Sequence, residues 1–208
     1  GRLDALINNA GFGLPGAVED LPRAGLRAQF ETNVFGGQEL IRLVLPVFRA
    51  QNRGRIVQMS SMLGYVALAY RGAYCASKYA IEGLTDALRL ELRGTNIYVA
   101  IVEPGPIAAR FRDNAYTAFK TYIDKDRSAH RTQYEAMIGR LEGRRGPLPF
   151  TLPPEAVLDK VVHALEARKP RRRYPVTLPS HVFTWLRRLL PGRTLDAVLA
   201  RVSDSGRR

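Results

Sequence analysis

Residues 54–105 read "GRIVQMSSMLGYVALAYRGAYCASKYAIEGLTDALRLELRGTNIYVAIVEPG". The segment opens on a short apolar run, "GRIVQMSS" (54–61), that ends in serines, and closes on another, "NIYVAIVEPG" (96–105), stopped by Pro104 and Gly105. Short apolar runs bounded by turn residues read as buried strands. Between them lies a loop, "GYVALAYRG" (64–72), and then helical periodicity from Ala73 to Leu92. Ala80, Leu84, Ala87, Leu88 and Leu92 are expected on its inward side. Two strands joined through a helix predict a parallel pair.

The flanks repeat the alternation. "LDALINN" (3–9) reads as another buried strand, followed by a Gly/Pro loop, "AGFGLPG" (10–16). Residues 22–52 carry helical periodicity, with Phe30, Val34, Leu40, Leu43, Val44 and Val47 as candidate inward positions. Residues 108–150 are polar and irregular with helical pieces. A helix over 153–168 starts on proline, which suits a first turn. "RRYPVT" (172–177) reads as an edge strand, since Pro175 has no N–H for a ladder. Helix resumes over 180–201, broken at Pro191-Gly192. Strands alternating with helices at this spacing predict an α/β, doubly wound parallel sheet covered on both faces. The 208 residues suit a single domain, 1–208.

Charged residues make up 25% and hydrophobic residues 46%, as in an ordinary soluble protein. No apolar run is long enough to span a membrane, and no secretory signal opens the chain. One cysteine excludes an internal disulfide and permits a cytoplasmic location, the expected one. The net charge is +13, with arginine concentrated at 139–146, 168–175 and 185–193. A solvated basic surface, attraction to a phosphorylated cofactor and attraction to an acidic membrane face are all compatible with it. Nucleic acid is not an expected partner, because no binding motif or aromatic interleaving accompanies the charge.

Chemistry converges where strand 54–61 ends. Ser61 lies at that carboxyl end, where ligands bind in doubly wound sheets. Tyr74 heads the next helix, and Lys78 follows at i+4, on the same face. A free tyrosine has a pKa of about 10, too high for a base at neutral pH. A nearby ammonium favours the phenolate and is expected to lower it. With a serine hydroxyl to hold a substrate oxygen, this is equipment for interconverting a carbonyl and an alcohol. It moves a proton only, so a hydride-carrying cofactor is required.

"NNAG" (8–11), "TNVFG" (32–36), "GRIVQMSSMLG" (54–64), "YCASK" (74–78) and "PGPI" (104–107) stand in the order found in the short-chain dehydrogenase/reductase family. The chain resembles that family from residue 3 to about 112. The remainder, through "EPGPIAARFRDN" and "RYPVTLPSHVFTWLRRLLPGR", resembles the bacterial aldehyde/alcohol reductase branch near retinol dehydrogenase and 17β-hydroxysteroid dehydrogenase types. The resemblance implies a Rossmann-like fold with 1–107 as catalytic core and 108–208 as substrate-binding segment. It implies NADP, or NAD, as cofactor and a small carbonyl or alcohol substrate. Tyr74 would be the catalytic acid/base, Lys78 would tune it and hold the nicotinamide ribose, and Ser61, rather than Ser60, would orient the carbonyl. Asn33 would hold a water that links Lys78 to solvent. Asn9, Ala10 and Gly11 would line the adenosine side, and Ile107 would meet the nicotinamide carboxamide after the Pro104-Gly105-Pro106 turn.

Two departures stand out. Where the family often has a threonine contacting the cofactor diphosphate, this chain has Ala109, with Arg110 or a backbone amide as the expected replacement. The family's opening strand–TGxxxGxG–helix is not in the sequence, and "GFGLPG" (11–16) lacks its spacing. The chain therefore reads as a piece lacking its first strands and helices, roughly 70–90 residues at ~30 or more per βαβ unit. Of the family strand order 3-2-1-4-5-6-7 it would keep strands 4 to 7. The 208 residues alone are expected to be inactive and not to bind dinucleotide tightly.

Cys75 reads as a packing residue, and His130, His163 and His181 show no metal-ligand spacing, so no metal is expected. Phe111, Tyr116, Phe119 and Tyr122 would form an apolar wall suited to hydrophobic aldehydes or ketones. In "HVFTWLRRLL" (181–190), Val182, Trp185, Leu186 and Leu189 share a side. That helix could pack on the core or cover the cleft, meet a second subunit in a homo-oligomer, or touch a membrane peripherally. A non-catalytic binding or regulatory protein and an epimerase or dehydratase are the rival functions.

Overall fold

A computed structural model of the chain describes residues 1–142 and 148–205. Residues 143–147, which overlap the arginine-rich stretch 139–146, fall outside it. Four strands form one parallel sheet in the order β1 (Ala5–Asn8), β2 (Gly54–Met59), β3 (Ile97–Glu103), β4 (Arg173–Pro175). The sequential order is the one expected of the four retained strands, and the Pro175-containing strand takes an edge.

Side chains of a strand alternate between faces, and here both faces are covered. Ile56, Val99 and Ile101 turn to one side, against α2 (Gly36–Ala50) and α3 (Gly72–Glu91). Val57, Ala100 and Val102 turn to the other, against Val161 and Ala164 of α6 (Glu155–Glu166). A second apolar cluster lies beyond the sheet. There α4 (Phe111–Tyr122) and α5 (Arg131–Leu141) pack Phe119 and Tyr134 against Leu14 and Ala73.

The inward faces of two helices differ from the sequence reading. On α2, Ile41 and Phe48 are buried, whereas Leu40, Leu43 and Val47 are exposed. This helix carries two apolar stripes, and periodicity alone does not say which one meets the sheet. On α3, Leu84 is exposed, and the sheet-facing side carries Ser77, Lys78, Ile81, Glu82 and Thr85. That face is polar because it holds the site and an ion cluster. Arg173 of β4 donates to Glu82 and Asp86 of α3 and to Glu103 of β3, tying the edge strand to the helix. Burial works against the Arg173 charge, but Glu82 and Glu103 outweigh it and hold the guanidinium above its ordinary pKa. Burial and the neighbouring Glu82 push the Glu103 carboxyl up to about 7, against the pull of Arg173.

Two further helices, α7 (Leu178–Leu189) and α8 (Gly192–Ser205), follow β4 and meet at the expected break. Thr177 caps α7, its hydroxyl accepting from the Ser180 N–H. Phe183 and Leu186 of α7 pack against the cluster of Met62, Tyr65 and Val66, and Ser180 is buried beside them. Of the side chains sharing the other side, Val182 lines the cleft, and Val182, Trp185 and Leu189 are all exposed. No helix among the described residues is long and apolar enough to cross a membrane.

Between α1 (Arg23–Phe30) and α2 the helix passes through a π turn, Glu31–Phe35. Such turns are rare and often fall at functional sites. Asn33 lies in it.

Candidate active site

β2 ends at Met59, and the chain leaves the sheet through Ser60 and Ser61. The Ser61 hydroxyl accepts from the Leu63 N–H at 3.2 Å and donates to the Pro104 carbonyl at 3.3 Å, which opens a short turn over 62–64. The chain then loops back so that Tyr74 sits in the first turn of α3. Lys78, one turn further, donates from Nζ to the Met59 carbonyl at 2.7 Å. Ser61, Tyr74 and Lys78 thus meet where β2 and β3 end. They line one cleft of about 1120 Å³ together with Asn9, Gly11 and Ile107.

Pro104 and Gly105 also line the cleft, as do Ala109 and Arg110. Ala10 does not: it is exposed, and the cleft takes Asn9 and Gly11 on either side of it. Asn33 stands one layer back. Its amide donates to the Phe12 carbonyl and to the Ser77 hydroxyl, both at 3.0 Å, and its carbonyl accepts from the Phe12 N–H at 3.0 Å. Ser77 passes the connection on to the Tyr74 carbonyl at 2.8 Å. A methyl group on Gly11 would lie 3.1 Å from Asn33 Oδ1 and 3.7 Å from Lys78 Nζ. Close approach, rather than an unusual backbone angle, is what glycine supplies here.

Gln29 was not singled out from the sequence. It is fully buried, accepts from the Leu14 N–H at 2.7 Å and donates to the Phe12 carbonyl at 2.6 Å. With Asn33 it fixes the loop whose Gly11 lines the cleft. Its position four residues before Asn33 was the available signal, since a buried polar side chain needs partners.

The electrostatics reverse one expectation. Burial pushes the Tyr74 phenol up to about 12, with the Ser61 hydroxyl pulling the other way. Lys78 does not bring it down. Its Nζ is committed to Met59 and lies 5.6 Å from the centre of the Tyr74 ring. Burial lowers Lys78 itself to about 8, and Glu82 opposes that. At ~1.4 kcal/mol per unit, holding this ammonium costs about 3 kcal/mol. Cys75, between them, is a buried thiol pushed up by burial.

The apolar wall is real but differently built. Of the four aromatic residues expected there, only Phe111 lines the cleft, its ring 5.3 Å from that of Tyr74. Tyr116, Phe119 and Tyr122 sit on the other side of α4, in the second cluster. The remaining wall comes from Leu148 and Phe150, from Leu158 of α6, and from Leu178, Val182 and Phe183 of α7. Among the described residues no group of three His, Cys, Asp or Glu side chains could hold a metal.

Residues 1–118 match the short chain dehydrogenase family. An uncharacterized oxidoreductase, YbbO of Escherichia coli, is 43% identical over 197 residues, 95% of this chain and 67% of the relative. An NADPH-dependent 3-dehydrocapnine reductase of Ornithobacterium rhinotracheale is 34% identical, over 94% of this chain and 69% of the relative. A short-chain dehydrogenase structure from Streptomyces avermitilis superposes with a TM-score of 0.71 at 27% identity. It covers 98% of this chain and 68% of that one. The fold also agrees, at a TM-score of 0.71 and 24% identity, with an NADP complex of a Burkholderia cenocepacia short chain dehydrogenase, over 95% of this chain and 68% of that one. With the parallel sheet, the Ser61–Tyr74–Lys78 cleft and these likenesses in agreement, the chain belongs to the short chain dehydrogenase family of oxidoreductases.

Proposed function

We propose that this site, in the full-length protein, reduces the carbonyl of a hydrophobic aldehyde or ketone, with NADPH as the hydride source. The observation that carries the reading is the cleft, with Ser61, Tyr74 and Lys78 at its polar floor and apolar side chains from α4, α6 and α7 as walls.

The residues present fit the nicotinamide end of such a cofactor. Leu152 donates to the Pro106 carbonyl and accepts from the Ala108 N–H, so the N–H and C=O of Ile107 point away from it. One donor beside one acceptor matches a carboxamide. Lys78 offers N–H donors for ribose hydroxyls. NADPH rather than NADH follows the relative whose name carries that dependence.

The bound cofactor supplies a hydride to the carbonyl carbon. Ser61 holds the carbonyl oxygen by turning its hydroxyl proton from the Pro104 carbonyl to the substrate. Tyr74, with its phenol up at about 12, keeps its proton at neutral pH and gives it to that oxygen as negative charge develops. Lys78 holds the ribose and, through its bond to Met59, the position of the helix that carries Tyr74. Asn33 holds the Gly11–Leu14 loop and, through Ser77, the first turn of α3 that carries Tyr74.

The test is kcat/KM of the full-length enzyme across straight-chain aldehydes of increasing length, with NADPH and with NADH. A rise with chain length under NADPH is expected. Equal values for a short hydrophilic aldehyde and a long-chain one would remove the substrate class. Transfer of label from a 4-deuterated cofactor into the alcohol distinguishes reduction from epimerisation or dehydration.

A further inference from the structure

We infer that the mouth of the cleft docks on an anionic lipid bilayer. This goes beyond the reduction chemistry and stands independently of it.

Leu178, Val182, Trp185 and Leu189 recur at i, i+4, i+7 and i+11 of α7, which places them on one face of the helix. All four are between 41% and 71% exposed. They cannot turn inward, because the opposite side of α7 is already fixed. Phe183 is buried against Met62, Tyr65 and Val66, and the Tyr65 hydroxyl donates to the Ser180 carbonyl at 2.8 Å. The stripe is continuous with the cleft: Leu178 and Val182 belong to both. Across the mouth, Phe150 and Leu158 line the cleft and are themselves more than half exposed. An apolar patch of this kind marks an interaction site.

The surroundings select the partner. Arg110 and Arg112 line the cleft beside Phe111, and Arg188 of α7 and Arg193 just beyond it are exposed. From Tyr174 to Leu195, the stretch that carries the stripe, there is no acidic residue. An apolar stripe bordered by arginines fits the plane of an acidic membrane surface, where long cationic side chains reach the headgroups. A second copy would bring the same basic border against this one. Trp185, the chain's only tryptophan, sits mid-stripe, where an amphipathic ring meets the headgroup boundary. In this pose the cleft opens into the acyl region, so an apolar ligand enters without crossing water.

The experiment is flotation of the full-length protein with vesicles of phosphatidylcholine alone or mixed with phosphatidylglycerol, at low and high salt. Emission of Trp185 is followed in parallel and assigned by comparison with Trp185→Phe. Binding to the phosphatidylglycerol vesicles is expected to exceed that to phosphatidylcholine by about tenfold and to weaken with salt, with a blue shift of the Trp185 emission. A Trp185→Glu/Leu189→Glu variant, changed outside the cleft, should lose that binding while keeping its melting temperature and its turnover of a small soluble aldehyde. Failure to bind anionic vesicles at low salt would overturn the proposal. So would binding that survives the double substitution, which would put it elsewhere on the basic surface. Loss of self-association in the double variant without loss of vesicle binding would assign the stripe to a second copy and overturn it too.

Discussion

Lys78 gives its hydrogen bond to the Met59 carbonyl, 2.7 Å away, and so ties the catalytic helix to the last residue of the strand beneath it. The ammonium that accompanies Tyr74 is therefore the group that titrates near working pH, lowered by burial to about 8. For the reductase, kcat/KM at saturating cofactor is expected to fall on the alkaline side with a midpoint near pH 8, as Lys78 loses its charge. The Tyr74 proton, held to about 12, stays in place across that range. A profile flat well beyond pH 9 would separate Lys78 from the reaction.

Replacing Tyr74 by phenylalanine removes the proton donor and keeps the ring against Phe111. Turnover is expected to drop by roughly 10²–10⁴-fold, the usual worth of a positioned acid. The melting temperature should stay within a few degrees. Wild-type kcat in Tyr74→Phe would refute the role.

Gly105→Ala tests how tightly the end of β3 is packed. The added methyl would fall 2.1 Å from Thr177 Oγ1 and 3.1 Å from Ser180 Oγ, both fully buried at the start of α7. Displacing that cap is expected to cost about 1–3 kcal/mol in urea denaturation. It should also raise KM, because α7 walls the cleft. An unchanged unfolding midpoint would mean that α7 shifts freely.

Arg173→Met leaves Glu82 and Glu103 without their shared guanidinium. A loss of about 3 kcal/mol is expected at alkaline pH, once both carboxyls of the variant carry charge. The loss should shrink at lower pH. Glu103 sits at about 7 even beside Arg173, so its protonated form contributes stability fully below about 4.5, lost as pH rises through 7. Removing the guanidinium shifts that window upward. Equal losses on both sides of pH 7 would mean that the cluster stays neutral throughout.

The features legible in the sequence were those written in local spacing. The strand–helix–strand unit over 54–105 and the Tyr74–Lys78 pair follow from periods of two and 3.6 within a few dozen residues. The Arg173 cluster was invisible because its partners lie 70 to 91 residues away in sequence and nothing in a charge pattern couples them. The choice between the Ile41–Phe48 and Leu40–Val47 stripes of α2 failed for a different reason. Both are apolar, and only the position of the sheet distinguishes them. The Tyr74 pKa is not legible in the sequence, because spacing gives proximity but not where an ammonium points.

The π turn at Glu31–Phe35 makes the length of this segment as consequential as its composition. Removing any one residue from it would restore ordinary helix, but each residue turns a helix by about 100°. Gln29 and Asn33 could then no longer grip the Gly11–Leu14 loop while Ile41 and Phe48 faced the sheet. A single-codon deletion here would set the loop that carries Gly11 against the core, even if it removed no side chain that touches a ligand.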